Sequence, residues 1–264
     1  MRLLVTRPAL DAAALADSLA ALGHDVLISP MIEIELNAAV LPRAEAHGGV
    51  ALTSANGARA FMAHLAQLPQ KQRDAEMAQW AARPAFAIGP QTAAALQAAG
   101  FQDIHQADGD LSALVDLIAA RYQAALPLLH IAGRDRAGDL AAGLKHKNIV
   151  CARAVLYRAE AVAGFSAAAA AALCDAREPV EGVVIYSQRS ADIFCTLYAG
   201  LTDLPGALHD DKTDDKTDNK NEPLLRPKAF CLSETIAATM RTAGFEAVAP
   251  PTPDSNALLA MICV

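Results

Sequence analysis

Six short polar turns and one tyrosine are the places where this sequence could do chemistry. The turns are Thr6-Arg7-Pro8, Thr53-Ser54-Ala55-Asn56, Gly89-Pro90-Gln91-Thr92, Gly133-Arg134, Ser187-Gln188-Arg189 and Ser233-Glu234-Thr235. Each follows a short apolar run and precedes a helical pattern, which places it where a parallel α/β sheet binds ligands, at the carboxyl end of a strand. Helix N-termini present unpaired N–H groups and the positive end of the peptide dipole, so such turns receive anions, and arginines such as Arg7, Arg134 and Arg189 grip carboxylates in bidentate fashion. Tyr157 closes the apolar stretch NIVCARAVLY. Its phenol is neutral at pH 7 and can give a proton or a hydrogen bond to a departing group.

Each feature also has a plainer reading. Ser, Thr and Asn are ordinary helix caps, and a tyrosine on a strand is commonly just packed. What lifts the set above these readings is repetition. Matched polar turns in two related halves suit one ligand held by main-chain amides, hydroxyls and a few arginines.

Other chemistries lack their residues. The seven histidines are scattered without an i, i+4 pair, and no Walker A, GxGxxG or GxSxG sequence occurs. Cys151, Cys174, Cys195, Cys231 and Cys263 are odd in number and form no CxxC, so they read as reduced, mostly buried thiols of a cytoplasmic protein. A net charge of −7 and a pI near 5.5 disfavour nucleic acid and anionic membranes as partners. The apolar run in MRLLVTRPAL is too short for a signal peptide, and no stretch of about 18 to 20 strongly apolar residues suggests a membrane span.

The elements that must position these residues alternate regularly. Apolar strands at Arg2–Thr6, Asp25–Ser29, Gly49–Thr53, Ala85–Ile88, Gln102–His105, Pro127–Ile131, Gly182–Tyr186, Lys228–Leu232 and Phe245–Ala249 are separated by alanine-rich helical patterns, the signature of right-handed βαβ crossovers. Thr92 is expected to open a helix that Gly100 closes. FAIGPQTAAALQAAGF from Phe86 is echoed by FCLSETIAATMRTAGF from Phe230 at an offset of 144, and VALTSANGARAF from Val50 by VVIYSQRSADIF from Val183 at an offset of 133. Between the two later echoes lies HDDKTDDKTDNKNEP, His209 to Pro223, with six acids, three lysines and nothing apolar to bury. It reads as a disordered loop.

The expected fold is therefore α/β, with two similar domains of parallel strands flanked by helices. The half-exposed pattern Met31–Leu36 and the long run Asn148–Tyr157 form a two-stranded connector. Domain 1 takes residues 1–35 and 160–264, with the insertion at about 209–223. Domain 2, residues 36–159, is inserted into it.

Several of these segments, in this order, resemble uroporphyrinogen-III synthase: Thr6-Arg7-Pro8, LTSANGARAF, AIGPQTAAAL, GRDRAGDLAAGL, AVLYRAE, and CLSETIAATMRTAGF followed by APPTPDSNALLAMI. The similarity runs nearly end to end apart from the insertion. It implies an active site in a cleft between two domains and a dehydrating cyclisation of hydroxymethylbilane to uroporphyrinogen III. The last ring is inverted through a spiro intermediate, on the route to haem and sirohaem, and no metal or organic cofactor is needed. The resemblance makes Tyr157 the candidate general acid and Thr92 the turn threonine of the inserted domain, while Thr235-Ile236 stands where the family often has two threonines. The substrate's eight carboxylates assign binding roles to Arg7, Thr53, Ser54, Asn56, Gly89, Thr92, Arg134, Ser187, Gln188 and Thr235. The protein is expected to act as a cytoplasmic monomer, with the preceding pathway enzyme as one source of substrate. The competing reading is a two-lobed small-molecule binding or sensor module without catalysis.

Deleting residues 209–223 is expected to leave soluble expression and turnover nearly unchanged, since an exposed loop without apolar anchors adds little to a core. A loss of more than about tenfold in turnover would contradict it.

Overall fold

Short apolar runs stopped by glycine, proline or a polar cap build most of the described strands. The computed structural model describes residues 1–135, 138–202 and 225–263, and the insertion expected to be disordered, 209–223, lies outside them. The chain divides into two compact units, Met1–Glu33 with Glu160–Val264, and Ile34–Ala159.

The first unit contains β1 (Arg2–Val5), α1 (Ala9–Ala21) and β2 (Asp25–Ile28), then α7 (Ala167–Leu173), β9 (Gly182–Ile185), α8 (Gln188–Thr202), β10 (Lys228–Cys231), α9 (Glu234–Thr242), β11 (Ala247–Val248) and α10 (Ser255–Ile262). The second contains β4 (Gly49–Leu52), α2 (Ala55–Ala66), α3 (Gln70–Ala81), β5 (Ala85–Ile88), α4 (Gly89–Ala98), β6 (Ile104–Ala107), α5 (Leu111–Arg121), β7 (Leu128–Gly133) and α6 (Leu140–Lys145). Two strands, β3 (Ile32–Leu36) and β8 (Cys151–Ala161), carry the chain across the boundaries and lie side by side in one sheet.

The sheet orders explain the sequence echo. One sheet runs β2-β1-β9-β10-β11 and the other β3-β8-β7-β4-β5-β6. The echoing pairs β9–β10 and β4–β5 sit in parallel register at equivalent places. The strands beside them come first in the first unit (β1, β2) and last in the second (β7, β8), so the units are circular permutations of one arrangement. Their strands are near-continuously apolar because helices cover both faces. In the first unit one face packs Leu4, Val183, Phe194, Ile236 and Met240, and the other Leu3, Val5, Leu19, Val184 and Leu258. In the second, Phe61, Trp80, Leu129, Ile131 and Leu156 fill one face, and Phe86, Leu114, Leu128 and Leu144 the other.

Three expectations are corrected and one helix is added. Helix α4 begins at Gly89, not Thr92: a φ of +73° at Gly89 turns the chain straight out of β5, and Thr92 is buried inside the first turn. A separate helix, α3, follows Pro69; its polar surface carries little periodicity, and buried Trp80 is what docks it. Strand β8 continues to Ala161, so Tyr157 lies within it. Of the thiols only Cys231 is fully buried; Cys151, Cys174 and Cys195 are partly buried and Cys263, beyond α10, is exposed. No helix among the described residues is long and apolar enough to cross a membrane.

Burial pushes the Cys151 thiol up to about 11 and the Cys231 thiol up to about 12, and raises Tyr122, Tyr157 and Tyr198 above the ordinary phenol value. The folded chain holds these protons more tightly than the unfolded chain. Their contribution is complete below the ordinary thiol value of 9.0 and is lost as pH rises towards about 12. Urea unfolding midpoints should fall from pH ~8 to pH ~10, and less steeply in Cys231→Ala; a flat profile would contradict this.

Candidate functional site

A one-residue irregularity in β8 builds the site of the second unit. Strand β7 pairs with β8 residue for residue from Leu128↔Cys151 to Ala132↔Val155, but the next pair is Gly133↔Tyr157. Leu156 is therefore extra. Neighbours in register share a face, so strict pairing would send Tyr157 after Arg153 and Val155; the bulge instead places it beside Gly133, on the face of Leu129 and Ile131 that α2 covers. Leu156 and Tyr157 are buried in succession in the same core cluster.

The bulge is held from several sides. The Leu156 carbonyl accepts the Asn37 N–H at 2.9 Å and the His64 Nε2–H at 3.0 Å, and the Tyr157 carbonyl accepts the Arg134 N–H at 2.8 Å. A carbonyl can only accept, so the His64 proton sits on Nε2. The Arg153 guanidinium donates to the carbonyls of Gly133 and Arg134, fixing the turn after β7. Gly133 does not have positive φ; its reason is space, because a Cβ there would lie 2.9 Å from Tyr157 Cε2 and 3.0 Å from Cζ. The tyrosine ring lies against bare backbone.

Only 9% of Tyr157 is exposed. Burial raises its pKa, and Asp135 adds to the rise, while hydrogen bonds from the Ser54 side chain and the Gly133 backbone oppose it. A phenol is neutral at neutral pH in any case, and burial makes this proton harder to lose. Ser54 also caps α2, its Oγ accepting the Asn56 N–H at 3.2 Å. Tyr157 and Ser54 border a cavity of about 390 Å³ that Thr53, His130, Gly133 and Arg153 also line, with Asp110 and Asp135. This arrangement can hold a polar ligand against a neutral proton donor.

The structure thus brings Thr53, Ser54 and Tyr157 to one cavity. Asn56 does not line it and accepts from Arg59 at 2.8 Å. Gly89, Thr92 and Arg134 lie outside the lining too; Arg134 is exposed and 3.9 Å from Asp135. In the first unit Arg7 lies 4.3 Å over the Tyr186 ring and 3.3 Å from Asp11. Ser187 caps α8, its Oγ accepting the Ser190 N–H at 3.1 Å, and Gln188 Nε2 donates to Thr239 Oγ1 at 2.6 Å. Thr235 is exposed on the first turn of α9, whereas Ile236 is buried in the core, so that position serves packing in this chain. Sequence reasoning missed His64, Arg153 and the bulge. The sequence carries no clear signal of the bulge, because Ala154-Val155-Leu156-Tyr157 is a continuous apolar run without alternation.

Among the described residues, no group of three or more His, Cys, Asp or Glu converges as a metal site. A family model described as uroporphyrinogen-III synthase HemD matches residues 13–260. No protein of curated function matches the chain significantly. Among solved structures, uroporphyrinogen-III synthetase from Helicobacter pylori is similar at 16% identity and a TM-score of 0.60, covering 99% of this chain and 98% of its own. A mutant uroporphyrinogen III synthase from Thermus thermophilus is similar at 16% identity and a TM-score of 0.48, covering 99% and 96%.

Proposed function

This chain belongs to the uroporphyrinogen-III synthase family, cyclising hydro-lyases that convert hydroxymethylbilane to uroporphyrinogen III and water, and from that premise we propose how its residues carry the reaction. Tyr157 acts as general acid. Its proton leaves with the substrate hydroxyl as water, the electron-rich pyrrole stabilising the cation left behind. The substituted α-carbon of the last ring attacks this cation to give the spiro intermediate. Its original bond to the neighbouring methylene then breaks to leave a second pyrrole-stabilised cation there, and the other α-carbon of the now inverted ring closes onto it. The proton that carbon loses as the ring regains aromaticity restores the phenol. The observation that carries this reading is a buried phenol at the wall of a cavity shared with Thr53 and Ser54.

Substrate carboxylates provide the work for the remaining candidates. Thr53, Ser54, Asn56, Gly89, Thr92 and Arg134 in the second unit, and Arg7, Ser187, Gln188 and Thr235 in the first, stand at or just beyond carboxyl ends of parallel strands, where helix N-termini favour anions. Arg7 is held ready by Tyr186 and Asp11. Because the leaving group departs readily, positioning of the chain, more than proton transfer, selects the carbon that attacks. The same ready departure favours direct receipt of substrate from the preceding enzyme, by a monomer in the cytoplasm. A binding module without catalysis is not favoured, given the family match.

Tyr157→Phe keeps the ring and removes the donor. Turnover should fall by roughly 10- to 100-fold, the low end of general-acid contributions, with product still isomer III. Wild-type turnover in the variant would remove Tyr157 from the mechanism, and a switch to isomer I would assign it to steering ring closure.

A further inference from the structure

We propose that His64 is a positioning residue for Tyr157: its Nε2–H fixes the bulge of β8 that turns the phenol toward Ser54. The proposal rests on the acid role of Tyr157 and adds to it a residue that touches neither substrate nor phenol. His64 is 4% exposed, lies on the inner face of α2, and spends its ring nitrogen on the carbonyl of Leu156, the extra residue of the bulge. A buried histidine hydrogen-bonded to a carbonyl 92 residues away is an expensive choice for a core position otherwise filled by Phe61 and Leu65, since an apolar residue would need no partner.

The geometry gives it a use. Helix α2 grips β8 at two points, through Ser54 at its N-terminus on the phenol and through His64 on the peptide just before Tyr157. Between these points the Tyr157 ring has one flat wall, Gly133, which leaves no room for a Cβ. If the Leu156 peptide relaxes toward regular pairing, the alternation of the strand carries Tyr157 away from Ser54. A misplacement of about 1 Å is enough to lower a rate by one to two powers of ten.

Four variants test this: His64→Leu, His64→Gln, Tyr157→Phe and the double variant His64→Leu/Tyr157→Phe. Gln places an amide N–H near the position of Nε2, and Leu fills the volume without a donor. His64→Leu should lose roughly tenfold in kcat with KM unchanged, His64→Gln should recover to within roughly threefold of wild type, and in the Tyr157→Phe background His64→Leu should cost nothing further. A loss that persists in that background, a raised KM, or a Gln variant as poor as Leu would overturn the proposal. Tyr157→Phe at wild-type turnover would instead overturn the acid role on which it rests. Should His64→Leu not fold, Gly133→Ala applies the same cycle from the other side of the ring: it should lose kcat in the wild-type background and none in Tyr157→Phe, and an equal loss in both would count against the positioning account.

Discussion

One residue too many in β8 is the constraint on which the site of the second unit depends. A strand alternates its side chains with a period of two, so inserting Leu156 against an unbroken β7 changes the face of everything that follows. The irregular peptide must then find partners, because a buried carbonyl left unpaired costs about 1 to 3 kcal/mol. Asn37 and His64 supply them for Leu156, and the Arg134 N–H does so for Tyr157. Gly133 completes the fit by offering no side chain where the ring must lie. Tyr157 is thus fixed by its neighbours' backbone as much as by its own contacts.

The same burial sets its chemistry. A phenol taken out of water resists ionisation, and the Ser54 and Gly133 hydrogen bonds only partly oppose that. Burial therefore makes the phenol a poorer acid, and what the site supplies is a fixed position for the proton beside the Ser54 and Gly133 hydrogen bonds that steady the phenolate. In the first unit the candidate residues are held differently. Arg7 is stacked and paired, Ser187 is a cap, and Thr235 is exposed, so they present charge and hydroxyls at helix starts.

Much of the architecture could be read from residue order. The echo of Phe86–Phe101 in Phe230–Phe245 reports two α/β units because each strand, turn and helix start must satisfy the same local physics in both copies. Caps such as Ser54 were legible for the same reason. What escaped was set by tertiary pairing. Whether Thr92 opens a helix or sits within one depends on a positive φ at Gly89. Gln70–Ala81, although rich in helix formers, lacks the apolar periodicity that would mark a docked helix, since Trp80 and Met77 are what it sets against the core. The bulge escaped because register belongs to two strands jointly. His64 escaped because its partner is a peptide group, which carries no letter in the sequence.

Hydroxymethylbilane generated freshly in the presence of the purified chain gives the most direct test. Its uroporphyrinogen product, oxidised and resolved by isomer, is predicted to be isomer III, with the last ring inverted. Isomer I alone, formed at the rate seen without protein, would contradict the account at its centre.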